Sequence, residues 1–157
     1  MATEIERKFL VDGPLEFDGP GRVMQQGYIA IDPDGTEVRI RREAGLNTLA
    51  VKRGGGMVRT EIEIDVDDAI AEALWALTEG RRLGKSRYIR PHLNHRVEID
   101  VYRGPLSGLV VAEVEFESEE AARSFEPPEW LGREITSDAR FRNNTLARLN
   151  DLPDFSV

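Results

Sequence analysis

The sequence predicts an α+β domain built on one antiparallel sheet of about eight strands, with about three helices beside it. Three observations predict it. Eight segments alternate apolar and polar residues with a period of two. Short stretches rich in Gly, Pro, Asp and Asn separate most of them, and such short connections favour antiparallel neighbours. Only three segments carry apolar residues at helical spacing. With 157 residues and no linker or internal repeat, the chain reads as one domain over 1–157.

The first strand is expected over 3–11, where Ile5, Phe9 and Val11 share one face and Glu4, Glu6 and Lys8 the other. DGP and GPG flank a loop before the second, 23–31, which carries Gln26 and Tyr28 on one face. DPDG turns into the third, 36–42, where Arg39 and Arg41 oppose Val38 and Ile40. The fourth, 47–53, contributes Lys52. Gly54-Gly55-Gly56 lacks the Lys-Ser/Thr of a phosphate-cradling loop and reads as the hairpin to the fifth, 58–66. That strand sets Arg59, Glu61, Glu63 and Asp65 against Ile62, Ile64 and Val66. The sixth, 82–90, offers Lys85 and Arg87, and PHLN leads to the seventh, 95–103, with Glu98 and Asp100. GPLSG leads to the eighth, 109–117, with Glu113 and Glu115. His92 and His95 belong to a turn, and Trp75 and Trp130 to packing. Helices are expected over 67–79 (apolar stripe Ile70, Leu74, Leu77), over 118–125 behind a Ser118 cap, and over 137–149 (Phe141, Leu146, Leu149).

Composition narrows the function. No cysteine is present, which excludes a disulfide scaffold, a zinc-thiolate site and a cysteine nucleophile. A net charge of -8 repels polyanions, so nucleic acid and anionic membranes are poor partners. No apolar run reaches transmembrane length and no hydrophobic signal opens the chain, so a cytoplasmic location is the expectation.

The polar faces are not those of an ordinary solvated sheet. They hold almost no Ser, Thr, Asn or Gln, and their charges are sorted by strand. Arg and Lys fall on the third, fourth and sixth strands, carboxylates on the fifth, seventh and eighth, and both on the first. About eight strands can close into a barrel whose interior admits side chains or one small ligand. Charges gathered inside it would need ions, water and mutual pairing. The apolar face would then point outward, and three helices are few to cover it. Part of that face is therefore expected to be covered by a second copy, giving a homodimer.

EIERKFLV at 4–11 resembles the Glu-x-Glu-x-Lys opening of the CYTH domain, in the triphosphate tunnel metalloenzyme superfamily. The resemblance continues through QGYI at 26–29, VRIRR at 38–42, AVK at 50–52, RTEIEI at 59–64 and KSR at 85–87. It runs on through EIDVYRG at 98–104, LVVAEVEFES at 109–118, GREIT at 132–136 and FRNNTLA at 141–147. It implies an eight-stranded antiparallel β-barrel, a triphosphate tunnel, that hydrolyses inorganic triphosphate with Mg²⁺ or Mn²⁺. Thiamine or nucleoside triphosphatases, adenylate cyclases and a non-catalytic polyphosphate-binding module are the alternatives.

The resemblance supplies roles for the polar faces. Lys8, Arg39, Arg41, Lys52, Arg59, Lys85 and Arg87 are expected to bind phosphate oxygens, Arg39 and Arg41 bidentately. Glu4, Glu6 and Glu115 form the main metal cage, with Glu63, Asp100 and Glu113 for a second ion or an attacking water; pairing with tunnel cations is the competing role of these last three. Tyr28, Lys8, Lys85 and Glu113 make up the expected catalytic set. Tyr28 can accept a proton only if neighbouring cations lower its pKa. The last helix is expected to plug one end, with Arg133, Asp138 or Asn143 near the ligand.

Overall fold

A computed structural model describes residues 2–156. Its sheet closes on itself: eight antiparallel strands in the order β1-β5-β4-β3-β2-β6-β7-β8. They are β1 Ala2–Leu10, β2 Arg22–Ile31, β3 Glu37–Glu43, β4 Leu46–Gly55, β5 Val58–Val66, β6 Arg82–His92, β7 His95–Tyr102 and β8 Val110–Glu115. Closure falls on β1. Its first half pairs with β5 (Glu4 opposite Arg59) and its second half with β8 (Glu6 opposite Glu115, Lys8 opposite Glu113). Beyond the first residue of β5, the GREIT segment takes over that edge: Ile135 N–H donates to Lys8 O at 2.8 Å and Gly132 N–H to Leu10 O at 2.7 Å. The Gly54–Gly56 turn is the expected hairpin, with Gly54 and Gly56 at φ 104° and 70°, backbone that glycine adopts without strain.

The antiparallel directions give the barrel two distinct ends. At one lie the β6–β7 and β3–β4 hairpins and the exposed Glu115. At the other lie the β4–β5 and β2–β3 turns and the C-terminal segment. Inside this second end, an apolar floor of Tyr28, Leu83, Tyr102, Val111, Phe141 and Leu146 fills the side of the barrel next to β2, β6, β7 and β8. On the opposite side, Glu37 of β3 and Arg59 of β5 carry charge down to the same end. A second core lies outside the barrel, where Phe9, Val97, Ile99, Ala112 and Val114 pack under Phe125 and Leu131.

The helices depart from expectation in two ways. α1 spans Asp68–Trp75 behind an Asp67 cap and continues as a short 3₁₀ turn. It buries Ala71 and Thr78 rather than the predicted stripe, leaving Ile70 49% and Leu77 56% exposed. A small residue lets the helix lie close to the sheet, while the Arg42 and Arg82 guanidinium groups lie 5.4 and 4.6 Å from the centre of the Trp75 ring. α2 spans Glu119–Ser124 with the expected Ser118 cap. The predicted helix over 137–149 is broken into a 3₁₀ turn, Ala139–Phe141, and a single turn α3, Asn143–Leu146. Extended backbone at Arg142 separates them (ψ 136°). Tertiary bonds override the helical pattern there: Tyr102 Oη donates to Asn143 Oδ1, and buried Asn144 Nδ2 donates to Glu37 Oε2 at 2.6 Å.

Candidate active site

Alternation along the strands aims the predicted polar faces into one cavity of about 670 Å³ above the floor. Its wall includes Lys8, Arg39, Arg41, Lys52, Arg59, Lys85 and Arg87, together with Glu4, Glu6, Glu63, Glu113 and Glu115 and the ring of Tyr28. The structure therefore brings nearly the whole predicted set together.

The cations fall into two kinds. Most are neutralised in place: Lys8 by Glu113 at 3.3 Å, Lys52 by Glu4 and Glu61 at 3.1 and 3.0 Å, Arg59 by Glu37 at 3.3 Å. Arg39 and Arg41 are not. Arg39 is nearly fully buried; among the described residues its one ion-pair partner is Glu63 at 3.6 Å, and its Nε has no hydrogen-bond partner. Arg41 donates only to Gln26 Oε1 at 3.3 Å; burial, then Arg39 and Arg87, pushes its pKa down to about 10. Guanidinium groups short of partners in a crowd of like charge favour an anion between them.

Lys85, Arg87 and Asp100 form a buried knot. Lys85 donates to Asp100 Oδ2 at 2.6 Å, and Arg87 donates to both Asp100 oxygens at 2.7 and 2.9 Å. Arg87 also pairs with Glu98. Burial, then Arg87 and Arg41, lowers the Lys85 pKa to about 8, while Lys85 and Arg87 hold Asp100 below its usual range against burial. Both Asp100 oxygens are occupied by cations, so in this structure Asp100 orients Lys85 and Arg87 instead of standing open to a metal.

Glu4, Glu6 and Glu115 each present an oxygen, all within 4.8 Å of one another. Glu63, Asp100 and Glu113 do not join that trio. Three converging carboxylates strain against one another: burial, then Glu113 and Glu4, raises Glu6 to about 8, and burial, then Glu98 and Glu4, raises Glu115. Hard oxygen donors destabilised by mutual repulsion suit Mg²⁺ or Mn²⁺. Glu113 lies deeper. Against its burial, Lys8, Arg87 and Lys85 hold it well below the normal carboxylate range, so it stays ionised and can orient a water but binds a proton weakly.

Tyr28 does not meet the condition set for a base. Its hydroxyl accepts from Gln26 Nε2 at 3.0 Å, and burial followed by Glu37 drives its pKa upward. A phenol so placed keeps its proton and can donate it to a phosphate oxygen. Tyr28→Phe is accordingly expected to lower turnover about ten-fold, the weight of one buried donor, with the shape of the pH–rate profile unchanged. Loss of the profile's acidic limb would restore Tyr28 as the base.

Of the three C-terminal candidates, Asn143 reaches the cavity; Arg133 lies exposed outside, and Asp138 pairs with Arg140 at 2.6 Å. The wall also contains Glu37 and Arg142, neither of which the sequence reading named. Glu37 shares the face of Arg39 and Arg41, so alternation could have found it. Arg142 follows no strand and gave no such signal.

No family model matches the chain. It is 43% identical over 150 residues to a Nitrosomonas europaea protein named inorganic triphosphatase, covering 92% of this chain and 97% of that one. An Acetivibrio thermocellus protein of the same name is 36% identical over 151 residues, covering 94% and 95%. The crystal structure of the inorganic triphosphatase NE1496 superposes with a TM-score of 0.70 at 39% identity, covering 96% of this chain and 98% of that one. Barrel, sorted charges and relatives agree: the chain belongs to the family of these inorganic triphosphatases, the triphosphate tunnel metalloenzymes that its motifs resemble.

Proposed function

We propose that this protein hydrolyses inorganic triphosphate to orthophosphate and pyrophosphate with the help of a divalent metal ion. The observation that carries the reading is the buried, partnerless Nε of Arg39 beside Arg41 in a cation-lined cavity. Phosphoryl transfer requires mainly positioning and charge stabilisation, and the wall is organised for both. Arg39 and Arg41 grip non-bridging oxygens, while Lys8, Lys52, Lys85 and Arg87 supply further positive charge to the departing pyrophosphate. Glu113 orients the attacking water, whose oxygen joins the terminal phosphorus as the bridging P–O bond breaks. Glu4, Glu6 and Glu115 would hold Mg²⁺ or Mn²⁺, which when bound withdraws charge from phosphate oxygens.

Phosphate release from tripolyphosphate, thiamine triphosphate and ATP, each with Mg²⁺, Mn²⁺ or a chelator, tests this. Metal-dependent release that is fastest from tripolyphosphate is expected. Undiminished hydrolysis in chelator would refute the metal dependence, and cyclic AMP from ATP would point to a cyclase. Binding without any turnover would leave a polyphosphate-binding module.

The outer face supports a homodimer. α1 covers β2 to β4 and α2 packs on β1, but β5 carries Ile62 and Ile64 at 49% and 54% exposure, and the α1 region leaves Ile70 and Leu77 bare. Ile62 and Ile64 stand side by side on one strand face, and exposed apolar side chains so placed on a charged protein favour a covering partner. Sedimentation at micromolar concentration is expected to give twice the chain mass, and an Ile62→Glu/Ile64→Glu double variant to give a monomer. One chain mass for the parent protein would dismiss the dimer.

A further inference from the structure

At the β4–β5 end of the cavity, one cation has nothing among the described residues to neutralise it. Arg142 sits in the extended link between the 3₁₀ turn and α3, and its side chain lines the tunnel. Among the described residues its guanidinium has neither an ion-pair nor a hydrogen-bond partner, whereas Arg59, at the same end, is matched to Glu37. Its position is nonetheless constrained from both sides. Phe141 O accepts from Lys8 Nζ at 3.5 Å, Asn143 accepts from Tyr102, and Asn144 is bonded to buried Glu37. The β4–β5 hairpin leaves room for it: a Cβ on Gly55 would lie 2.1 Å from Arg142 Nη2 and 3.0 Å from its Cζ. Gly55 needs no left-handed backbone, so what the missing side chain provides there is space.

Arg142 also faces the other way. A second cavity of about 240 Å³ lies at the same end, between the β2–β3 turn (Asp32, Pro33, Gly35) and the C-terminal segment (Thr145, Arg148). Arg142 lines this cavity as well as the tunnel. Arg142 is therefore part of the partition between them.

We infer that Arg142 binds the inner end of the polyphosphate and limits its length, selecting tripolyphosphate over longer chains. The inference rests on the function proposed above and adds a specificity residue to it. A guanidinium at this end meets the last phosphoryl group with paired donors, and the same group stands in the path of a fourth towards the outer cavity. Shortening the side chain removes the contact and joins the two spaces.

Calorimetric binding of tripolyphosphate and tetrapolyphosphate, with Mg²⁺ present, tests this without depending on turnover. Arg142→Ala is expected to bind tripolyphosphate about ten-fold more weakly, the loss of one charge-assisted contact. Its affinity ratio of tri- to tetrapolyphosphate should fall about as far. Gly55→Ala keeps the arginine but occupies its place, and should shift both quantities the same way. Arg148→Ala, which changes only the outer cavity, should bind tripolyphosphate as the parent does. Parent-like affinity in Arg142→Ala, or weakened affinity with an unchanged ratio, would overturn the inference. A parent protein that fails to bind tripolyphosphate at all would instead defeat the function on which it rests.

Discussion

Asp100→Asn is expected to destabilise the fold by about 3–5 kcal/mol and to lower turnover on the order of 10²-fold, although the substitution is nearly isosteric. Asp100 and Lys85 are fully buried, and Asp100 alone joins Lys85 to Arg87. The amide removes the one carboxylate bonded to Lys85 among the described residues; Glu113 acts on it only from further off, and the ring of Tyr102 lies 5.7 Å away. Arg87 retains Glu98, so the damage concentrates on the lysine. The pH dependence follows from the sign of its shift. A lysine whose folded pKa lies below the unfolded 10.5 withholds stability fully at low pH, and the deficit disappears as pH rises towards 10.5. Loss of Asp100 deepens that depression. Urea unfolding at pH 7 and pH 10 should therefore show the variant recovering relative to the parent at the higher pH. A variant within about 1 kcal/mol of the parent at pH 7 would mean that the knot is not what holds this layer of the barrel together.

The contrast between this knot and the carboxylate trio was partly legible in the sequence. Strand alternation has only two outcomes for each side chain, so Lys8, Arg39, Arg41, Lys52, Lys85 and Glu115 could be assigned to one surface from spacing alone. Which carboxylate pairs with which cation depends on register. Asp100 stands opposite Arg87 because β6 and β7 pair as they do, and no pattern within β7 reveals that. The charge sorting also hid the apolar floor: Tyr28, Tyr102 and Val111 lie on the same faces as the charges, one or two pleats further along. Short-range helical rules failed where packing overruled them. α1 turns on Ala71 instead of its larger apolar residues, and the last helix gives way at Arg142 to bonds from Tyr102 and Glu37.

Glu6→Gln is expected to act in the opposite sense to Asp100→Asn, stabilising the metal-free protein while removing its activity. Glu6 holds its proton up to about pH 8 in the fold, against 4.5 for the ordinary side chain. Below 4.5 it is neutral whether folded or unfolded and contributes nothing. Between 4.5 and 8 the folded chain binds the extra proton, so stability falls as pH rises, and the raised Glu115 adds to the slope. A neutral glutamine removes the Glu6 share. The variant should therefore melt above the parent at pH 8 and with it at pH 4. The trio that weakens the empty fold is the one suited to a divalent ion, so turnover should drop about 10²-fold or more, beyond what a mere ligand-orienting residue would cost. Protonation links the two effects. At pH 7 the parent must release most of a proton from Glu6 when Mg²⁺ binds, and the glutamine variant has none to release there. Titration of Mg²⁺ in two buffers of different ionisation enthalpy measures that proton directly. A glutamine variant with parental Mg²⁺ affinity and turnover would remove Glu6 from the metal site and leave its raised pKa as a consequence of crowding alone.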